Sequence, residues 1–136
     1  MNVIYQIEPL LSAEEFREIL VHSTLGERRP VDDFSRLKQM CENASLIVTA
    51  RLDGKLIGIA RSITDFVYCT YLSDLAVDKA YQQRGIGKQL ILETKKQTPQ
   101  ATLILLSAPA AVNYYPKIGM TRHEHGFLLR ETGDLK

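Results

Sequence analysis

The chain has little cysteine, almost no net charge and no long apolar run. Only Cys41 and Cys69 are present, in no metal-binding or redox spacing, which argues against a secreted disulfide scaffold and for a reducing, cytoplasmic setting. A net charge of +1 implies no polyelectrolyte partner, so nucleic acid is not expected. No apolar segment reaches the length of a bilayer span, and the N-terminus lacks a basic-then-apolar leader, so no membrane association is expected. Internal repeats, linkers and low-complexity segments are also missing. What is present is ordinary for a globular protein: 45% hydrophobic and 24% charged residues among 136. That length is expected to form one domain, 1–136, burying about two-thirds of its unfolded surface.

The most informative stretch is Leu72 to Leu92. An apolar segment ending at Val77 reads as a buried strand, followed by a polar turn, two glycines and an apolar-rich run with helical spacing. A strand feeding a glycine-rich turn and a helix N-terminus is an anion cradle, because open N–H groups and the helix dipole converge there. Gly85 and Gly87 remove side chains that would keep a phosphate away, and Arg84 and Lys88 add charge. Two phosphate motifs fail. The dinucleotide fingerprint needs glycine where Leu90 stands, and the Walker A loop needs glycine at Gln82 and Ser or Thr at Gln89.

Along the rest of the chain, Asn2 to Glu8 alternates as a half-buried strand that Pro9 ends. Ser12-Ala13-Glu14-Glu15 is a capping box, and Phe16, Ile19 and Leu20 carry a helix to about His22, whose imidazole suits the helix C-terminus. Gly26 to Pro30 is a polar break; Arg28 and Arg29 read there as a solvated pair rather than as a grip on a carboxylate or phosphate. Val31, Phe34, Leu37 and Cys41 predict a second helix, with Cys41 a small buried hydrophobe. Leu46–Leu52 and Lys55–Thr64 flank Asp53-Gly54, a strong hairpin signal, and Gly58 suggests a bulge or a close backbone approach. A third strand is predicted from about Tyr68 to Val77, with Cys69 packing inward.

A helix from Gly85 to about Gln97 comes next, with Lys95 and Lys96 at its C-terminal end and Pro99 beyond it. Thr102 to Leu106 reads as a strand covered on both faces. Pro109 opens a predicted helix containing Ala111, Tyr114, Tyr115 and Ile118 and stopped by Gly119, and Phe127 to Arg130 is the last predicted strand. His123-Glu124-His125, without a third ligand, reads as a solvated turn. The order β-α-α-β-β-β-α-β-α-β describes an α/β fold with a mixed sheet.

Gln82-x-x-Gly85-x-Gly87 resembles the pyrophosphate signature of the GNAT N-acetyltransferase superfamily. Leu75-Ala76-Val77-Asp78 upstream, and Tyr114 to Met120 where that family has F-Y-x-K-x-G-F, extend the resemblance from about Leu46 to Met120. It implies the GNAT fold, a twisted, mostly antiparallel mixed sheet flanked by helices, and acetyl-CoA as cosubstrate without a metal. Arg29-Pro30, Asn43-Ala44, Gly58 to Arg61 and Leu105 to Tyr115 look most like members acting on arylalkylamines or protein amino groups. The acceptor implied is a small-molecule amine or a protein amino group.

By the same resemblance, Gln82, Gln83, Arg84, Gly85, Ile86, Gly87 and Lys88 surround the pyrophosphate. Leu75, Ala76 and Val77 offer backbone groups to the pantetheine, with an N–H at Leu75 or nearby for the acetyl oxygen. Tyr115 is the implied general acid, since a phenol (pKa ~10) can protonate a thiolate (~8.5). Asp74 is the candidate base, with Asp65 at the other end of the strand; pairing of Asp74 with Arg61 and proton loss through water are the competing readings. Tyr68 and Tyr71, with these aspartates, suit a cation-friendly acceptor pocket. Ala108 stands where many members carry Asn, Pro116 interrupts the tyrosine helix and Met120 replaces Phe. These departures leave an acyl-CoA-binding sensor as the alternative to an enzyme. An edge strand near the C-terminus would allow a homodimer.

Overall fold

The computed structural model describes residues 1–136, divided into two compact units, 1–106 and 107–136. In the first unit β1 (Val3–Ile7), β2 (Leu46–Leu52), β3 (Lys55–Thr64), β4 (Cys69–Val77) and β5 (Thr102–Ile104) form one sheet in chain order. The first four strands are antiparallel neighbours, and β5 joins β4 in parallel. A parallel partner needs a crossover, which α3 (Ile86–Gln97) supplies. The β2–β3 turn forms as predicted: Asp53 takes φ 50° and Gly54 φ 83°, both left-handed.

Residues 46–50 of β2 are buried throughout because both faces of the sheet are covered. Ile47, Ile59 and Ala76 pack beneath Phe16, Ile19 and Leu20 of α1 (Ala13–His22) and Leu37 and Cys41 of α2 (Phe34–Glu42). Leu46, Val48, Ala50, Ile57, Ala60 and Leu72 pack on the opposite face, against Ile86 and Leu90 of α3. Gly58 lies at a bulge, the first of its two readings, and the close approach is by side chains of α3 instead of by backbone. The register skips Ile57 beside it, and a Cβ at Gly58 would lie 3.0 Å from Leu90 Cδ1 and 3.3 Å from Ile86 Cγ2.

The start of α1 obeys the sequence signal in half. Ser12 Oγ accepts the Glu15 N–H at 3.1 Å. The Glu15 carboxylate does the other work, accepting from Arg51 Nη1 at 2.8 Å and Nη2 at 3.0 Å. Glu8, just past β1, takes Arg51 Nε at 2.7 Å and Nη2 at 2.9 Å, and also the Thr49 hydroxyl. One guanidinium on β2 thus makes two forked pairs, to β1's end and to α1's first turn.

In the second unit the single predicted helix is two pieces, a 3₁₀ turn at Pro109–Ala111 and the short α4 (Tyr114–Lys117). Pro116 brings no N–H to this segment, and Gly119, at φ 99°, ends it as expected. The strand expected at Phe127 to Arg130 does not form. A strand exists through its ladder, and this unit contains no other strand to pair with; Phe127 is 92% exposed.

The Glu8 carboxyl is held down to about 2, chiefly by its bonds from Arg51, then by those from Thr49 and Gln6, against the opposing effect of burial. A carboxyl depressed by folding contributes stability above its unfolded value and loses it as pH falls toward the folded one. Urea midpoints measured from pH 7 to 2 should therefore fall most between about 4.5 and 2, where Glu8 protonates. Glu8→Gln should cost about 1 kcal/mol at pH 7 and flatten that acid limb; an unchanged limb would mean that Glu8 is not the group responsible.

Candidate active site

The turn between β4 and α3 is closed by its own side chains. Asp78, at the end of β4, accepts the Ala80 N–H through Oδ1 at 2.9 Å, and Gln82 Nε2 donates back to the Val77 carbonyl at 2.9 Å. Gln82 therefore acts here as a brace on its own loop. Gln83 at φ 63° and Gly85 at φ 80° then swing the chain into the helix. The first bond of α3 runs from Gln89 N–H to the Gly85 carbonyl at 3.0 Å, so the N–H groups of Ile86, Gly87 and Lys88 have no acceptor within the helix. Ile86 is buried, while Gln83, Arg84, Gly85 and Lys88 are exposed around that helix mouth. A Cβ at Gly85 meets no protein atom within 4 Å, so nothing in the protein requires the bare position except its left-handed backbone. The guanidinium of Arg84 lies 5.6 Å from the Tyr81 ring centroid and Lys55 Nζ 5.5 Å, which keeps cationic groups beside the loop. These features fit a diphosphate: fixed N–H donors, a helix dipole and no obstructing side chain.

The strand leading into this turn is paired on one side only for much of its length. β5 meets β4 at Cys69, Thr70 and Tyr71 and ends at Ile104, whereas β4 runs on to Val77. On the other side the ladder with β3 continues, and Asp78 N–H reaches the Ile57 carbonyl at 2.9 Å. Because donors alternate along an antiparallel strand, the N–H groups of Leu75 and Val77 point to the edge that β5 has left. The register between β3 and β4 skips Ser73, a bulge two residues before Leu75.

Asp74 lies beside this bulge and is wholly buried, facing the helices α1 and α2. One carboxylate oxygen accepts from Arg61 Nε, its cross-strand partner, and the other from Arg29 Nε. Arg29 also donates from Nη2 to the Ser73 carbonyl at 2.8 Å, and Arg61 from Nη1 to the Met40 carbonyl at 3.1 Å. The Arg61 guanidinium stands 5.9 Å from the Phe16 ring centroid. Pairing with Arg61 was one of the competing readings of Asp74. Arg29 was missed: the arginine pair is not uniformly solvated, since Arg28 is exposed and Arg29 turns inward. The only sequence signal was the pair itself, and nothing local says which member turns.

Asp65 is a turn residue. Its Oδ1 accepts the N–H groups of Val67, Tyr68 and Cys69, and these bonds hold its carboxyl below the usual range. Tyr68 is 79% exposed next to it. Cys69 is exposed, not packed inward as expected, because it opens β4 at that turn. Cys41 is buried as expected, and burial pushes its thiol up to about 11, which leaves it unreactive. His22 ends α1 with Nδ1 3.9 Å from Asp78. His123 Nδ1 accepts the His125 N–H at 2.9 Å in an exposed bend. In the second unit, Tyr115 is half-buried, its ring edge-on to Tyr114 with centroids 5.2 Å apart. Burial, and to a smaller extent Tyr114, raises its phenol above the ordinary value, so the hydroxyl keeps its proton.

A model of the acetyltransferase (GNAT) family matches residues 13–120. An uncharacterized N-acetyltransferase, ycf52, of Pyropia yezoensis is 28% identical over 116 residues, covering 80% of this chain and 65% of that protein. The chain thus spans just under two-thirds of that relative's length. Among solved structures, a GNAT-family acetyltransferase from Streptococcus pneumoniae superposes with a TM-score of 0.77 at 19% identity, covering 96% of this chain and 100% of that one. The aminoglycoside N-acetyltransferase AAC(6')-Iy, solved in complex with CoA, gives 0.74 at 17% identity, covering 96% and 95%. With the family match extending over most of its length, the chain belongs to the GNAT acetyltransferase family.

Proposed function

We propose that this protein transfers an acetyl group from acetyl-CoA directly to a primary amine, on a small molecule or a protein, within a ternary complex. The observation that carries the reading is two sets of unshared backbone donors flanking one turn: the edge of β4 that β5 leaves, and the open first turn of α3. Acetyl-CoA, when bound, supplies an acyl group already activated as a thioester. The chain's own part is to hold and polarise. The N–H groups between Gln83 and Lys88, with Arg84 and Lys88, take the diphosphate; the backbone of Leu75 and Val77 takes the amide arm, while Ala76, alternating with them, turns its backbone to β3; the Leu75 N–H serves the acyl oxygen. Tyr115 donates the proton to the leaving sulfur, a role supported by a phenol that burial keeps protonated.

Asp74 we assign as a counter-ion and not as the base, because a guanidinium engages each of its oxygens and no part of it reaches water. The amine then loses its proton to solvent, the water route that competed with Asp74 in the sequence. We read residues 1–136 as one acetyltransferase domain, a reading supported by a family match that begins in the first unit and ends in the second.

Three substitutions test these roles. Gly85→Asp should weaken CoA binding by about 100-fold or more in calorimetry, since the carboxylate would cover the N–H groups and repel phosphate. Gly85→Ala, sharing the same backbone strain of about 1–2 kcal/mol, is the folding control, and unchanged affinity in folded Gly85→Asp would remove the loop from the site. Tyr115→Phe should lower kcat by about 100-fold with little change in KM for acetyl-CoA, measured as thiol release with a panel of amines. Retained CoA binding with no thiol release from any amine in the wild type would indicate the sensor instead. Asp74→Asn should cost about 3 kcal/mol in urea unfolding, because the buried Arg61 and the half-buried Arg29 would lose their anion. A folded Asp74→Asn of native stability, defective only in turnover at low pH, would restore Asp74 as the base.

A further inference from the structure

The cluster around Asp74 has one cation too many. Arg29 and Arg61 both bond the single carboxylate, so the group carries an excess positive charge in a site largely closed to water. Arg61 is the more buried of the two and is the register partner of Asp74, and by itself it neutralises the carboxylate. What Arg29 adds is geometry. Its Nε holds the Asp74 side chain, its Nη2 holds the Ser73 carbonyl at 2.8 Å, and its Nη1 is anchored on the Arg28 carbonyl at 2.8 Å. One planar fork thus grips the bulge residue by its main chain and the next residue by its side chain.

Those two grips have a consequence one residue further on. The Ser73 carbonyl belongs to the rigid peptide plane that enters Asp74, and the carboxylate fixes how the Asp74 Cα is turned. With both set, little freedom remains in the next plane, which carries the Leu75 N–H toward the edge β5 has left. Without the clamp the β3 ladder alone would hold Asp74 and Leu75, and the extra residue Ser73, which has no register partner, would be left untied; a misaimed donor loses most of its value to an oxygen acquiring charge.

We propose that Arg29 is a positioning residue for acetyl transfer: its guanidinium locks the Ser73–Asp74 bulge so that the Leu75 N–H is aimed at the acyl oxygen, and its surplus charge favours the negative charge that grows there. The proposal rests on the acetyl-transfer reading of the site. It assigns a role in turnover to the segment joining α1 and α2, which supplies this side chain from 44 residues away in sequence.

The test uses Arg29→Met and Arg29→Lys in the full chain. Arg29→Met leaves Asp74 paired with Arg61 and so should fold. With acetyl-CoA, and with tyramine and a lysine-containing peptide as probe acceptors, Arg29→Met should lower kcat by about 10- to 100-fold. KM for acetyl-CoA and CoA affinity by calorimetry should stay within about threefold, since the phosphate loop is untouched. Arg29→Lys keeps the charge without the fork, and should recover stability but little of kcat. In amide NMR spectra, acetyl-CoA should shift Gly85, Gly87 and Leu75 in the wild type, while Arg29→Met keeps the glycine shifts and loses that of Leu75. Wild-type kcat or an intact Leu75 shift in folded Arg29→Met, or full kcat in Arg29→Lys, would overturn the proposal. A wild type with neither thiol release nor shifts at Gly85 and Gly87 would instead overturn the reading of the whole site, and this proposal with it.

Discussion

Asp74 has no contact with water, and the cost of burying its charge is what makes a cationic partner obligatory. A carboxylate taken out of water without a partner is penalised by several kcal/mol, so the chain must deliver cations to it wherever it lies. Arg61 arrives across the β3–β4 ladder, while Arg29 arrives from the segment between α1 and α2. The ion cluster therefore joins two strands and a helix connection at one point. Its worth lies less in net stability than in registry: only one arrangement of these three pieces satisfies the charge.

That point coincides with the irregular part of β4. Regular pairing would engage every donor of the strand on both sides, leaving nothing for a ligand. Here β5 stops after three residues, and β4 continues toward the glycine turn paired with β3 alone. The bulge at Ser73 and the left-handed residues Gln83 and Gly85 mark the two ends of the unshared stretch. A binding surface made of main-chain groups constrains side chains only where they would obstruct it, as at Gly85, or where they brace it, as Gln82 does at the Val77 carbonyl. Such a site can be kept while most of the sequence around it changes.

On the other flank of the sheet Arg51 performs a comparable joining task, with Glu8 and Glu15 each held by two bonds. It lies nearer the surface than the Asp74 cluster and its ions are partly hydrated. The two networks divide the labour on the α1 side of the sheet. Arg51 fixes where α1 begins, and the Asp74 cluster fixes the connection between α1 and α2. In the second unit the decisive local fact is Pro116, which confines α4 to four residues and leaves Tyr115 on a short, tightly turned segment.

The sequence alone determined the features whose causes are local. Ser12 and His22 bound α1, Asp53 and Gly54 make the hairpin, and Gly85 begins the turn into α3, because a capping oxygen, a left-handed turn and an open helix mouth each depend on residues a few positions apart. The glycine signature and its flanking strand were legible for the same reason, and they carried the family. Only the tertiary structure decided that Arg29 faces Asp74, that Glu15 serves Arg51 instead of its own cap, that Cys69 lies outside, and that residues 127–130 find no strand to pair with. Each of these turns on which surfaces meet after the elements dock, and a charged side chain carries no mark in sequence of the partner that will meet it from 45 residues away.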